Sequence, residues 1–218
     1  MSFVIEEEVD QTSSVYEAFY NKYYDGWSEA FEEYKDEMKN VSNIIGKVEK
    51  RTDGYSPTKD KLFSCFEKTP LSKVKAVIWT ENPYSLDRSY ANVYKEIKNN
   101  YKDFQVPRDN NIHKLTEQGV LIIHASMCHV YHNPKIYENL WFRFTNIVIE
   151  ILNEKVHNCI HLLWGKNCQK LADNISSREV YTSSDPSSYQ FFGNNHFIKT
   201  NITLKRQGKQ EINWKCLS

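Results

Sequence analysis

The stretch Lys73-Val74-Lys75-Ala76-Val77-Ile78-Trp79-Thr80-Glu81-Asn82-Pro83-Tyr84 decides the fold. Val74 to Trp79 is a short apolar run rich in β-branched residues, and it stops abruptly at Thr80-Glu81-Asn82 and a proline. A strand covered on both faces reads as such a near-continuous run, and a proline close behind it ends the strand. In open α/β sheets, ligands collect at the carboxyl ends of strands of this kind. Glu81 and Asn82 therefore stand where recognition or chemistry is expected, although the same pair could simply solvate a strand end.

Upstream of this strand, Trp27, Phe31, Tyr34, Met38, Val41 and Ile45 recur at helical spacing with charged residues between them. They predict one long amphipathic helical region with a single buried stripe. Thr58 is placed as the N-cap of a short helix carrying Leu62, Phe63 and Phe66. Downstream, Ser89 opens a helix to about Tyr101, with Val93 and Ile97 inward. A short helix from about Asn110 to Gln118 stops at Gly119. A second apolar strand, Val120 to His124, follows, then a helix from about Tyr137 to Leu152. His157 to Trp164 is a third strand, Asn167 to Ile175 a helix, and Val180 to Ser183 a short fourth strand. That strand runs into Ser184-Asp185-Pro186-Ser187, and a last helix covers Asn195 to Arg206. Strands alternating with helices imply one three-layer α/β/α domain around a central four-stranded parallel sheet.

The 218 residues suffice for one well-filled core and are too few for two comfortable domains. We assign residues 25–218 to that domain and 1–24 to an acidic N-terminal segment. Net charge is zero, which disfavours a protein that holds nucleic acid by phosphate contacts alone. The charge is uneven, however: residues 1–50 carry 12 acidic and 5 basic side chains, residues 161–218 carry 8 basic and 4 acidic. Two faces with different partners are implied, a protein partner on the acidic helical N-terminal region among them. The five cysteines include no Cys-x-x-Cys pair, and a reducing intracellular compartment is expected. There is no apolar run long enough for a bilayer and no signal-peptide core, so no membrane partner is expected.

Taken in order, the strand ends resemble family-1 uracil-DNA glycosylase. The matching segments are Thr80-Glu81-Asn82-Pro83-Tyr84, then Gln118-Gly119-Val120-Leu121-Ile122-Ile123-His124, then Leu162-Leu163-Trp164-Gly165-Lys166. Asp185-Pro186-Ser187, Phe191-Phe192-Gly193-Asn194-Asn195-His196-Phe197 and Ile212-Asn213-Trp214 continue the match. The resemblance spans about Asp25 to Trp214 and implies a DNA-binding protein without a cofactor, nuclear if its host is a eukaryote or a virus. It implies catalytic positions at Asn82 and Asp185 and a base pocket at Glu81, Tyr84 and His124. DNA contacts would fall on Ser126, Lys166, Ser187 and Lys199.

At these positions the sequence departs from the family pattern. The family's first strand ends in an Asp that supports hydrolysis and the cationic sugar-like transition state, and Asn82 stands in its place. An amide cannot act as a carboxylate base, and losing a general base costs roughly 10²–10⁴ in rate. His124 replaces an Asn that reads the uracil edge. Asp185 replaces a His that donates to the developing uracil anion, a contact whose loss costs about 10²–10³ in rate. Two segments are also missing: the loop bearing a stacking Phe after Tyr84, and the Leu-bearing wedge, of which only Ser188-Tyr189-Gln190 remains. Extruding a base costs a few kcal/mol that those segments help to offset. The expectation is an impaired glycosylase serving as a DNA- or protein-binding scaffold. The alternatives are an enzyme retargeted to another base, and a structural subunit of a DNA-associated complex.

Other constellations point to less. His124, Cys128, His129 and His132 are potential zinc ligands whose spacing matches no standard finger, and no metal is expected. Ser183, Ser184, Ser187 and Ser188 with Asp185 and His196 lack the elbow of a hydrolase triad. His157 and His161, four apart in an expected strand, should face the same way. Lys166, Lys170, Lys199, Lys205, Arg206 and Lys209 give a basic surface suited to weak, salt-sensitive DNA contact or to no partner at all.

Overall fold

The computed structural model describes residues 14–49, 55–108, 112–130 and 141–217. In chain order these form α1 (Val15–Tyr20), α2 (Trp27–Phe31), α3 (Lys35–Glu49), β1 (Tyr55–Ser56), α4 (Ser64–Lys68), β2 (Ala76–Thr80) and α5 (Pro83–Asn100). They continue with β3 (Val120–His124), β4 (His129–Val130), α6 (Phe142–Lys155), β5 (Ile160–Trp164), α7 (Lys166–Gln169), β6 (Val180–Ser183) and α8 (His196–Arg206). The central sheet is four-stranded and all parallel, in the order β3-β2-β5-β6. The chain leaves β2 for one neighbour and returns past it to the other. That reversal opens a crevice at the strand carboxyl ends. Register places Thr80 opposite His124, and Trp164 opposite Ser183, so the four ends lie in one row.

Alternation along each strand divides the interior into two cores. Val77, Trp79, Leu121, Ile123 and Leu163 face α1 to α4 and α6, where Phe19, Phe31, Phe63, Phe66 and Phe144 pack edge-to-face and stacked. Ala76, Ile78, Val120, Ile122, Leu162 and Trp164 face α5 and α8. All five tryptophans are fully buried, so the aromatic load is spent mainly on packing. Helix α1 buries Val15 and Phe19 in the first core. Among the described residues no helix is long and apolar enough to cross a membrane.

Several elements differ from their expected form. The helix expected from Ser89 begins at Pro83, immediately after the strand-end Asn82, because proline at a first helical position loses no hydrogen bond and presets φ. The region from Trp27 to Ile45 is not one helix: a 3-10 turn at Glu32–Tyr34 separates α2 from α3. Ile112–Gln118 is a 3-10 helix, and the expected helix of 167–175 divides into α7 and a 3-10 turn at Ala172–Asn174. The third strand starts at Ile160, leaving His157 exposed in the turn before it while His161 is buried. An antiparallel ladder of two pairs, β1 with β4, has no periodicity to announce it. Its effect is to bring residues 55–56 against 129–130, beside the end of β3.

Candidate functional site

The row of strand ends is tied together by Glu81. Its carbonyl accepts from the Ser126 N–H (3.0 Å), and its Oε1 accepts from the Asn167 N–H (2.9 Å) in the first turn of α7. Gly165 makes room: with φ at +108°, a Cβ there would be strained and would lie 2.1 Å from Glu81 Oε1, so any side chain would push the Glu81 carboxylate aside. Glu81 thus joins β2 to the ends of β3 and β5, a role its sequence position alone did not distinguish from base recognition.

Asp185 lies in the loop after β6. Its Oδ1 accepts from both the Ser187 N–H (2.8 Å) and the Ser187 hydroxyl (2.6 Å), closing an Asx-turn around Pro186. Asn92 of α5 donates to the Pro186 carbonyl (2.8 Å) and anchors this turn to the second core. Beneath it lies Cys168, fully buried. Its thiol is held well above the ordinary range by burial, and further by the Glu81 and Asp185 carboxylates. Both carboxylates therefore lie within electrostatic reach of this one thiol.

His124 Nδ1 and Thr80 Oγ1 are 2.6 Å apart. The ring lines a cavity of about 240 Å³ with Pro83, Leu86, Asp87, Tyr90 and Met127. Neither Asn82 nor Tyr84 lines it. Tyr84 is 45% exposed, stacks on His129 (centroids 4.5 Å apart) and accepts a hydrogen bond from Arg88 (2.8 Å). Of the positions expected to bind DNA, Ser187, Lys166 and Lys199 are exposed. Ser126 is buried, and its hydroxyl donates to the Cys128 carbonyl (2.8 Å).

The remaining constellations resolve individually. Cys128 is buried and accepts from the Trp141 indole N–H (3.2 Å), and His129 is the ring under Tyr84. His132 lies outside the described residues, among which no group of three or more candidate ligands stands together. His196 is buried, its Nδ1 accepting from the Trp164 indole (3.0 Å). That bond commits Nδ1 to the indole rather than to an acid. His161 is held the same way by Trp79 (3.2 Å). Burial lowers both imidazoles to about 4, Lys199 adding to the effect on His196.

Two residues were not singled out in the sequence. Glu96, with no exposure, sits at the heart of a hydrogen-bond cluster. Its carboxylate accepts from the Gly193 and Asn195 N–H groups (2.9 and 3.1 Å) and from the Asn99 and Asn100 side chains (3.2 and 3.1 Å). It thereby fixes the left-handed turn from which α8 departs. Tyr189, on the 3-10 turn Tyr189–Phe191, is 88% exposed and touches Phe192 edge-on (6.0 Å). Neither announces itself locally: Glu96 reads as helix-surface charge, and Tyr189 as a loop aromatic.

No protein-family profile matches the chain. The uracil-DNA glycosylase of Pseudoalteromonas translucida is 30% identical over 195 residues, which cover 77% of this chain and 89% of the relative. Uracil-DNA glycosylase 2 of Bacteroides fragilis is 31% identical over 204 residues, covering 83% and 92%. The chain belongs to the uracil-DNA glycosylase family. Among solved structures, mimivirus uracil-DNA glycosylase superposes with a TM-score of 0.74 at 22% identity, covering 86% of this chain and 85% of the viral one. A variant of that viral protein in complex with UGI gives 0.73 at 20% identity, with 93% and 95% covered. These likenesses show the glycosylase fold around the same parallel sheet, and the candidate site occupies the carboxyl edge of that sheet.

Proposed function

We propose that this glycosylase-family protein binds DNA with base excision impaired, and serves as a scaffold on DNA or between DNA and a protein. The observation that supports this most is the pairing of acids at the strand ends. Asp185, held by Ser187 and within electrostatic reach of the same buried thiol as Glu81, would on this reading set a carboxylate where a departing base anion needs a donor. Asn82, at the neighbouring strand end, offers no carboxylate for hydrolysis. What suits DNA is still present on the rim: the Ser187 turn, the Lys166 and Lys199 ammonium groups, and exposed Tyr189, whose ring can stack on a base. DNA as partner is also in keeping with relatives that are named uracil-DNA glycosylases. A protein partner would meet the acidic surface of Glu32, Glu33 and Asp36, all exposed. We place the protein with the DNA of its host, in the nucleus where there is one.

The cavity beside His124 favours a second reading, an enzyme retargeted to another base. At about 240 Å³ it is smaller than pockets for drug-sized ligands, roughly 300–1,000 Å³, and suits a ligand of single-base size. One experiment separates the two. Duplex and single-stranded oligonucleotides carrying uracil, mismatched thymine, hypoxanthine or modified cytosines are incubated with the protein and treated with alkali. Intact strands together with salt-dependent DNA binding agree with the scaffold. Strand cleavage at any of these bases replaces it with the second reading.

A further inference from the structure

On the opposite edge of the sheet, the amino ends of the strands border a groove of about 710 Å³. Four lysines from four parts of the chain line it: Lys73 in a 3-10 turn, Lys75 leading into β2, Lys155 ending α6, and Lys209 after α8. We propose that this groove is a second binding site, for a phosphate-bearing ligand, with Lys75 and Lys209 as the residues that hold the phosphate.

The argument rests on how these two ammonium groups are placed. Both side chains are half-buried. Their observed partners are neutral carbonyls: Lys75 Nζ donates to Gln210 (3.3 Å) and Lys209 Nζ to His157 (2.9 Å). An ammonium has three N–H donors, so each has capacity beyond that single contact. Burial, and then the charge of Lys209, hold the Lys75 ammonium below its usual range. Two like charges brought together and partly stripped of water are costly, and an anion between them relieves both costs. The acids on the lining, Glu117 and Glu211, are outnumbered by the four lysines, and Lys155 already pairs with Glu154 (2.6 Å). Gly119 keeps the floor open. A Cβ there would lie 2.1 Å from the Lys73 carbonyl oxygen and 3.1 Å from Lys75 Cε. The volume falls within the roughly 300–1,000 Å³ of pockets that take compact ligands.

The chemistry does not distinguish a free phosphate compound from the backbone of a nucleic acid, so the test has two arms. Inorganic pyrophosphate and a single-stranded oligonucleotide of about 12 nucleotides are titrated by calorimetry into the full chain and into Lys75→Ala/Lys209→Ala. Saturable pyrophosphate binding that weakens at least ~10-fold in the double variant, with an unchanged melting temperature, is the expected result. Lys75→Arg should retain most of the affinity. Within that result, an oligonucleotide that binds more tightly than pyrophosphate and is lost in parallel identifies a nucleic-acid backbone. A weaker one identifies a free phosphate compound. Absence of saturable binding to the wild-type chain overturns the proposal, as does binding that the double variant leaves unchanged. Because the groove lies across the sheet from Ser187 and Tyr189, Tyr189→Ala should leave pyrophosphate affinity intact. The fate of this site and that of the strand-end reading are thereby separable.

Discussion

Glu96→Gln is the substitution whose outcome the structure specifies most closely. The change keeps the shape of the side chain and swaps one carboxylate oxygen for an NH₂ group. Whichever oxygen is replaced, the new donor faces one backbone N–H, of Gly193 or of Asn195, and one asparagine amide. Hydrogen bonds to charged groups contribute about 1.5–3 kcal/mol each, and a buried donor left unpaired costs about 1–3 kcal/mol. Asn99 is exposed and Asn100 half-buried, and both can turn to water, which removes most of their share. The stranded backbone N–H, aimed at the fully buried side chain of residue 96, does so less readily, although Gly193 and Asn195 are themselves exposed. With the surviving bonds weakened from charged to neutral, the expected loss is about 3 kcal/mol. In a domain of this size that is a fall of about 6–12 °C in melting temperature. Glu96→Ala should cost somewhat more, because both backbone N–H groups are then stranded and a cavity is left.

Urea unfolding followed by tryptophan fluorescence measures the loss directly, since all five indoles are buried. A Glu96→Gln protein within about 1 kcal/mol of wild type would falsify the view that this carboxylate fixes the turn. The same turn sets the start of α8 and hence the position of Lys199. Glu96→Gln should therefore also remove whatever part of DNA affinity depends on Lys199, and the Lys199→Ala change should add little on top of it.

Three further outcomes are expected. Tyr189→Ala should weaken single-stranded DNA binding by about 1–3 kcal/mol with no loss of stability, as read by fluorescence anisotropy and thermal melting; undiminished affinity would remove this ring from the DNA interface. Asn82→Asp with Asp185→His should leave uracil-bearing strands intact if, as the resemblance implies, the stacking segment and wedge are absent; efficient abasic-site formation would show that those two side chains alone hold the activity back. Stability should decline on acidification: His161 and His196 titrate near 6.5 when unfolded and near 4 when folded, so the unfolded chain binds more protons between those values. Their contribution is complete above pH 6.5 and lost towards pH 4, with a mid-window slope of about 2.5 kcal/mol per pH unit if both act, which His161→Gln should roughly halve.

What could be read from the sequence follows from how local each signal is. Three of the four strands are largely apolar runs, β6 with its Thr182 and Ser183 being the exception, and their parallel arrangement follows from alternation with helices, whereas their order in the sheet does not. The start of α5 was misjudged because Pro83 reads as a breaker, and only its setting behind Asn82 shows that it occupies a first helical turn. Glu81 was placed at the right edge of the sheet, but its bond to Asn167 spans 86 positions and no spacing rule reaches that far. The same holds for the two Trp–His pairs, 82 and 32 positions apart. Nothing local to His161 or His196 shows that each is a core acceptor for an indole. His157 and His161 were expected to face one way because the strand was drawn three residues too long.

Charge gives the last step. In the pattern this chain resembles, the strand-end acid lies beside the sugar that becomes cationic, and the donor lies beside the base that becomes anionic. On the proposed reading, this chain is neutral at the first place through Asn82 and negative at the second through Asp185. The electrostatic field then opposes both halves of the charge separation that breaks the glycosidic bond. Asp185 is not loose: Ser187 grips it twice, and the turn it closes is the one that, on the same reading, presents Ser187 to a DNA backbone. On that reading, the acid that works against excision is the same group that builds the DNA-facing turn. Asp185→Ala should for that reason lose DNA affinity where a purely repulsive carboxylate would gain it, and anisotropy at low salt distinguishes the two signs.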